Sequence, residues 1–323
     1  MRHLGRCLAA MVALAAVVAP TTGKADYPDK PIHMILPFSA GGETDPLARL
    51  ISEHISKALG QPIVVENRPG ASGAVAFNYV AKSPADGYTL LWAINTHLSV
   101  NPILYPNATY DVEKDFTPIT SIAEAQFVMA VNPSVPAKTV EELVAYAKAH
   151  PNTLKFSSAG VGSPIHLPGA LFADRTGTEL IHVPYKSGGD AALSVLSGET
   201  DIVFGSISGS LSNIRAGKVV PLAVTGQHRA APLPDVPTMT EAGVPDYEVT
   251  IWHLILAPEG TPEEVVARIR GEAAKALAEP DVLQALTRVG LRPFELDGAG
   301  IERRVEAESA QWKTLLHEVG LQQ

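Results

Sequence analysis

Short apolar runs alternate with segments of helical period along this chain, and the first pair sets the rule. Residues 32–36 (Ile-His-Met-Ile-Leu) predict a buried strand. Residues 45–59 then put Leu47, Leu50, Ile51, Ile55 and Leu59 on one helix face, and Gly60 stops the helix. A strand over 62–66, a helix over 75–82 and a strand over 88–94 follow. The middle repeats the pattern: helix 140–149, strand 154–158, helix 164–176, strand 180–184, helix 191–196, strand 201–204, a short helix near 211–216 and strand 219–225. Helices over 262–278, 281–289 and 300–319 close the chain. Such alternation predicts an α/β fold of mostly parallel sheets covered by helices. Two longer apolar segments, 119–131 and 247–257, flank the middle block and read as crossing strands between two lobes. The expected division is 26–124 with 252–323 in one lobe and 125–251 in the other. No solenoid-length repeat or low-complexity linker interrupts it.

Two strands end in the same device. Leu36 leads into Pro37-Phe-Ser-Ala-Gly-Gly-Glu-Thr-Asp45 and then Pro46; Ser158 leads into Ala159-Gly-Val-Gly-Ser163 and then Pro164. Each is a Gly-rich turn, then a capping residue (Asp45, Ser163), then Pro at the first helical position. Glycines let backbone amides approach a ligand, and the first N–H groups of a helix are free and electropositive. Two such turns, one per lobe, make a clamp for an anion. The expected contacts are Phe38, Ser39, Ala40, Gly42 and Thr44 facing Ser158, Ala159, Gly160, Gly162 and Ser163, largely through main-chain amides.

The N-terminus sets the compartment. Arg2 and Arg6 precede an apolar stretch over 7–19, and small residues follow up to Ala25. This is the pattern of a secretory signal peptide over 1–25, too short to span as a stable membrane helix. The one cysteine, Cys7, lies inside it, so the mature chain has no disulfide. Removing Arg2, Arg6 and Lys24 leaves 22 of the 25 basic residues against 34 acidic ones, a formal charge of −12. That balance argues against a nucleic-acid partner. No His-Glu-x-x-His motif occurs and the mature chain has no cysteine, so neither metal nor cofactor is expected.

The chain resembles the Bug family of periplasmic solute receptors that serve tripartite tricarboxylate transporters. The resemblance covers essentially the whole mature chain. It rests on Tyr27-Pro-Asp-Lys-Pro31, the first turn with Ala48-Arg49, Gly60-Gln-Pro-Ile-Val-Val-Glu-Asn-Arg-Pro-Gly70 and Ala81-Lys-Ser-Pro-Ala-Asp-Gly-Tyr-Thr-Leu-Leu91. Val183-Pro-Tyr-Lys186, Leu233-Pro-Asp-Val-Pro-Thr-Met239 with Glu241-Ala-Gly243, and Ala257-Pro-Glu-Gly-Thr-Pro262 complete it. It implies a two-lobed type II periplasmic-binding-protein fold. It also implies a small organic carboxylate as ligand (dicarboxylate, tricarboxylate or aromatic), a monomer in the periplasm and the transporter's membrane components as partners. Backbone and short polar groups of both lobes would hold the carboxylate, in place of a salt-bridging arginine.

Each singled-out residue also has a plainer role. Asp45 and Ser163 are explained as helix caps worth about 1 kcal/mol each. His166, one turn into its helix, is more often packed than ligand-bound. Tyr185 is a candidate pocket wall, Lys186 a solvated loop charge. Asp201 opens a buried strand where it can satisfy backbone amides, and Ser206 follows Phe204-Gly205 at the end of that strand. The 66–70 corner reads as structural. Glu43, Asp190, Trp252 and His253 depart from the family's usual residues; Asp190 reads as another helix cap, and an aromatic at 252 can stack on a flat ligand. The competing classes are an exported serine hydrolase using Ser163 with His166, and a ligand-bound partner of a membrane sensor. No Gly-x-Ser-x-Gly elbow supports the hydrolase.

Overall fold

The computed structural model describes residues 27–41, 44–106 and 108–318. The signal-peptide reading, Gly42 and Glu43 therefore lie outside the described residues. Ten strands are found there: β1 (Ile32–Leu36), β2 (Ile63–Asn67), β3 (Thr89–Ile94), β4 (Phe116–Val131), β5 (Lys155–Ser158), β6 (Ile181–Pro184), β7 (Ile202–Ser206), β8 (Val220–Val224), β9 (Thr250–Pro258) and β10 (Leu291–Pro293).

They fall into two groups joined by one strand. In the first, β2, β1 and β3 run parallel, β9 lies antiparallel to β3, and the first part of β4 pairs antiparallel with β9 and β10. In the second, β7, β5 and β6 run parallel, and the last part of β4 pairs antiparallel with β7 and β8. β4 changes partners near Gln126–Phe127: Gln126 opposes Thr250 and Phe127 opposes Ser206. Its sixteen residues are nearly all apolar or small, which suits a strand covered on both faces along its length.

The cores follow the same division. One cluster packs Ile32, Met34, Leu36, Trp92 and Ile255 against the helices Thr44–Leu59 and Glu263–Ala278. Another lies on the opposite face with Phe77, Leu91, Trp252 and Ile301. A third gathers Phe127, Met129, Phe156, Leu171, Phe172 and Phe204. The C-terminal helix (Gly298–Glu318) departs from the expected boundary. Ile301 joins the second cluster, while Trp312, Leu315 and Leu316 are buried in the third, with residues of the 125–251 segment. Twenty-one helical residues span about 30 Å, enough to reach from one core to the other. Period alone placed that helix as a unit, and could not show that its two ends serve different cores.

Besides the single 3-10 turn Ala71–Gly73, four short elements lie where no element was predicted. The helices Asn95–Ser99, Asn101–Leu104 and Val112–Asp115 fill the path from β3 to β4, and β10 follows the helix Pro280–Arg288. Each helix is too short to display a period. No helix among the described residues is long and apolar enough to cross a membrane.

Candidate ligand site

The first turn is held by one buried carboxylate. Asp45, predicted as the cap, is instead the second residue of the helix Thr44–Leu59, inside its first turn. Its Oδ2 accepts from the Gly41 amide and Arg49 Nε, both at 3.1 Å, and its Oδ1 accepts from Asn67 Nδ2 at 2.9 Å. Asn67 Nδ2 also donates to the Phe38 carbonyl at 3.0 Å, and Arg49 donates to Asn67 Oδ1. Asp45 is thus a buttress of the turn with its acceptors in use. The 66–70 corner, read as structural, supplies Asn67 to that buttress. Arg49 foremost, with Asn67, lowers the Asp45 carboxyl to about 2. This folded value is below the ordinary 3.8, so the stabilisation is present above about pH 4 and is lost as pH falls towards 2. Asp45→Ala leaves three donors without their acceptor. A loss of about 1–3 kcal/mol in denaturant unfolding at pH 7 is expected, and an unchanged midpoint would contradict the buttress.

The second turn is built differently from its prediction. The helix after β5 begins at Leu167 with Pro168 in its first turn, so Ser163 is not its cap. The Ser163 hydroxyl is buried without a hydrogen-bond partner among the described residues, as is the Tyr185 hydroxyl. The Gly162 N–H, expected to face a ligand, donates instead to His166 Nδ1 at 3.2 Å. The Gly160 N–H donates to the Ser158 hydroxyl at 3.1 Å, and Ser158 Oγ lies 2.6 Å from His182 Nε2. The imidazoles of His166 and His182 are 4.2 Å apart, and both stack on Phe156. Burial lowers both histidines, His166 to about 4 with His182 as the lesser cause.

The segment after β3 links the two turns. The Phe38 ring lies 5.5 Å from His97, in the helix Asn95–Ser99. Leu104, ten residues after Ile94 and the end of the helix Asn101–Leu104, comes so close to Gly162 that a Cβ there would sit 2.2 Å from Leu104 Cδ1. Burial lowers His97 to about 3 and His253 to about 4, and each His97 proton would also be opposed by His253.

Of the predicted contacts, Phe38, Ser39, Ala40 and Thr44 lie on the first turn and Ser158, Ala159, Gly160, Gly162, Ser163 and His166 on the second. Tyr185 is beside them, its amide donating to the Ser158 carbonyl, and its side chain borders an open hollow of about 830 Å³ with Lys186 and Asp190. Ser206 caps the helix Ile207–Arg215 at the same end of the second sheet group. Asp201 is not brought there. It sits at the opposite end of β7, where its carboxylate accepts from the Lys155 amide at 2.8 Å. Asp190 is not a cap either; Ser187 caps that helix and Asp190 pairs with it. Trp252 cannot stack on a ligand, being fully buried with Nε1 donating to Glu308 at 2.8 Å. His253 is buried as well and accepts from Trp92 Nε1 at 3.2 Å. His182 was missed, because alternation along β6 marks only an edge strand. A surface hollow of about 1100 Å³ beside Leu98, Pro102, Phe116 and Ile301 contains none of the predicted contacts.

The arrangement does not support a Ser163–His166 hydrolase. Ser163 Oγ has no base bonded to it and His166 Nδ1 is already occupied. The Ser158–His182 pair is closer, but Ser158 is fully buried and its hydroxyl is engaged by Gly160. Among the described residues no His, Asp or Glu group could hold a metal ion.

Comparisons with known proteins agree on one family. Residues 47–321 match the model of the tripartite tricarboxylate transporter family receptor. Protein BugT of Bordetella pertussis is 32% identical over 321 residues, covering 99% of this chain and 98% of BugT. The solved structure of R. palustris Rpa4515 with adipate is 36% identical with a TM-score of 0.77, covering 91% of this chain and 99% of that one. MatC (Rpa3494) from Rhodopseudomonas palustris with bound malate is 31% identical with a TM-score of 0.73, covering 90% and 100%. The fold is the two-lobed type II periplasmic-binding-protein fold.

Proposed function

The chain belongs to the tripartite tricarboxylate transporter receptor family, and we propose that it captures a small organic carboxylate between its two Gly-rich turns and delivers it to a tripartite transporter. In this reading the protein is exported to the periplasm after cleavage near Ala25, works as a monomer, and is a receptor without catalytic activity or cofactor. Its lobes are 26–124 with most of 252–323, and 125–251, the C-terminal helix contributing to both cores.

The observation that carries the reading is that both turns touch the 95–104 segment, Phe38 at His97 and Gly162 at Leu104, with the buried Ser163 hydroxyl unpartnered among the described residues at the second turn. A hydroxyl and main-chain amides are suited to a carboxylate. Asp45, the carboxylate of the first turn, is already matched by Arg49 and Asn67, so it presents no bare charge to repel the ligand. Arg49 is likewise spent on Asp45 and Asn67. Hydrogen bonding thus selects the anion here. The adipate and malate held by the two solved relatives support a carboxylate of four to six carbons as the first class to test.

A thermal-shift screen of mono-, di-, tri- and aromatic carboxylates tests this. A ligand at about 100 times its Kd adds about 2.7 kcal/mol of apparent stability, a rise of several degrees in Tm for a chain of this size. If only sugars or cations raise the Tm, the reading is wrong.

A further inference from the structure

The second turn is held at both ends by imidazole. At its start, the Ser158 hydroxyl lies 2.6 Å from His182 Nε2 and accepts from the Gly160 amide. At its far side, His166 Nδ1 accepts from the Gly162 amide. The two rings lie against each other and stack on Phe156, with interplanar angles of 21° for His166 and 26° for His182. His166 is only 4% exposed. An Nδ1 that accepts from an amide carries a lone pair, so the His166 proton sits on Nε2. This makes His166 a poor candidate for touching a ligand, since its accessible chemistry is spent on the turn.

We propose that His166 and His182 are positioning residues that hold the 158–163 turn in the conformation that receives the ligand, His166 acting through an unprotonated Nδ1. The proposal rests on the reading of that turn as half of the carboxylate site. An acceptor at the Nδ1 position fixes the Gly162 peptide plane, and with it the direction of the Ser163 side chain one residue on. The group at 166 also packs against Phe156 and His182, which stack on each other at 4.8 Å, and a phenyl ring and a carboxamide are both flat enough to lie there. Phenylalanine supplies the ring without the acceptor. Asparagine supplies an acceptor near the Nδ1 position without the ring's second nitrogen.

The two substitutions separate positioning from packing. Titration calorimetry at pH 7.5 with the carboxylate that gives the largest thermal shift is expected to show His166→Phe weakened at least tenfold and His166→Asn within about threefold of wild type. In the ligand-free protein, amide exchange at Gly162 should quicken in His166→Phe and return towards wild type in His166→Asn. Nitrogen-15 spectra of the wild-type imidazoles should show His166 as the Nε2–H tautomer; an Nδ1–H tautomer overturns the proposal even if a variant does not fold. Wild-type affinity in His166→Phe, or equal losses in both variants, also overturns it. If Ser163→Ala and Gly162→Val weaken binding while His166→Phe does not, only the positioning role fails. If no carboxylate binds wild type, or those two variants bind as wild type does, the reading of the turn as a ligand site fails and the positioning role goes with it.

Discussion

Gly162→Val is expected to weaken ligand binding at least a hundredfold while Lys186→Ala leaves it nearly unchanged. Two costs combine at position 162. Its φ is +71°, a left-handed conformation that costs a non-glycine residue roughly 1–2 kcal/mol, with β-branched side chains at the unfavourable end. A Cβ there would also stand 2.2 Å from Leu104 Cδ1, the far end of a flexible side chain that can turn aside, which puts the cost near the lower end of the roughly 1–3 kcal/mol of overpacking. The sum is near the roughly 2.7 kcal/mol that a hundredfold change in Kd represents. The Leu104 contact joins the segment after β3 to the turn after β5, so its share falls on the turn that the proposed function assigns to the ligand. Gly160 makes the contrast: its φ is +103° but a Cβ there meets nothing within 4 Å, so Gly160→Ala meets only the conformational cost. Titration calorimetry on Gly162→Ala, Leu104→Ala and the double variant isolates the steric share. Trimming Leu104 should recover part of the loss in the double variant. If the losses are simply additive, the clash is not what weakens binding.

The same residue shows how far sequence reached. The strand–turn–helix rhythm, the crossing strand β4 and the two Gly-rich turns were legible because each is written in local pattern: period, glycine and proline. What the turns do with their hydrogen bonds was not, because the partners lie far away in sequence. Asn67 reaches Asp45 across 22 residues, and His182 reaches Ser158 across 24. Proline at 164 suggested a helix starting there, but the Gly162 amide bonded to His166 diverts the chain into a turn before Leu167. The helices Asn95–Ser99 and Asn101–Leu104 escaped notice for a related reason. They present buried polar residues such as Asn95, His97 and Ser99, whose environment is created by distant groups: Glu308 accepts from Asn95, and His97 is enclosed by Phe38 and Phe77.

Lowering the pH from 7 to about 4 is expected to unfold the protein cooperatively, before most of its carboxylates titrate. Three buried histidines and a half-buried fourth set this. Burial lowers His97 to about 3, His166 and His253 to about 4, and His182 in the same direction. In the unfolded chain each titrates near 6.5. Because the folded values are depressed, the unfolded chain binds protons that the folded one excludes as pH falls below about 6.5. Stability is therefore complete above that value and declines towards the folded values near 3–4. Each histidine contributes a slope of up to roughly 1 kcal/mol per pH unit. Four together can remove a typical total stability of about 5–15 kcal/mol within a few pH units. The groups facing them reinforce the effect: His253 opposes the His97 proton, as His182 opposes that of His166. One group runs the other way, since burial raises the Glu124 carboxyl and its protonation relieves a cost as pH falls. A single carboxyl cannot offset four imidazoles. Calorimetric melting at pH 7, 6 and 5 should show Tm falling by more than ten degrees over that range, with proton uptake on unfolding at pH 5. His253→Asn, which keeps an acceptor for Trp92 Nε1 and no titrating group, should reduce the slope. A Tm flat from pH 7 to 5, with collapse only below pH 3, would mean that carboxylates such as Asp45 govern acid stability and that the histidines are not held neutral.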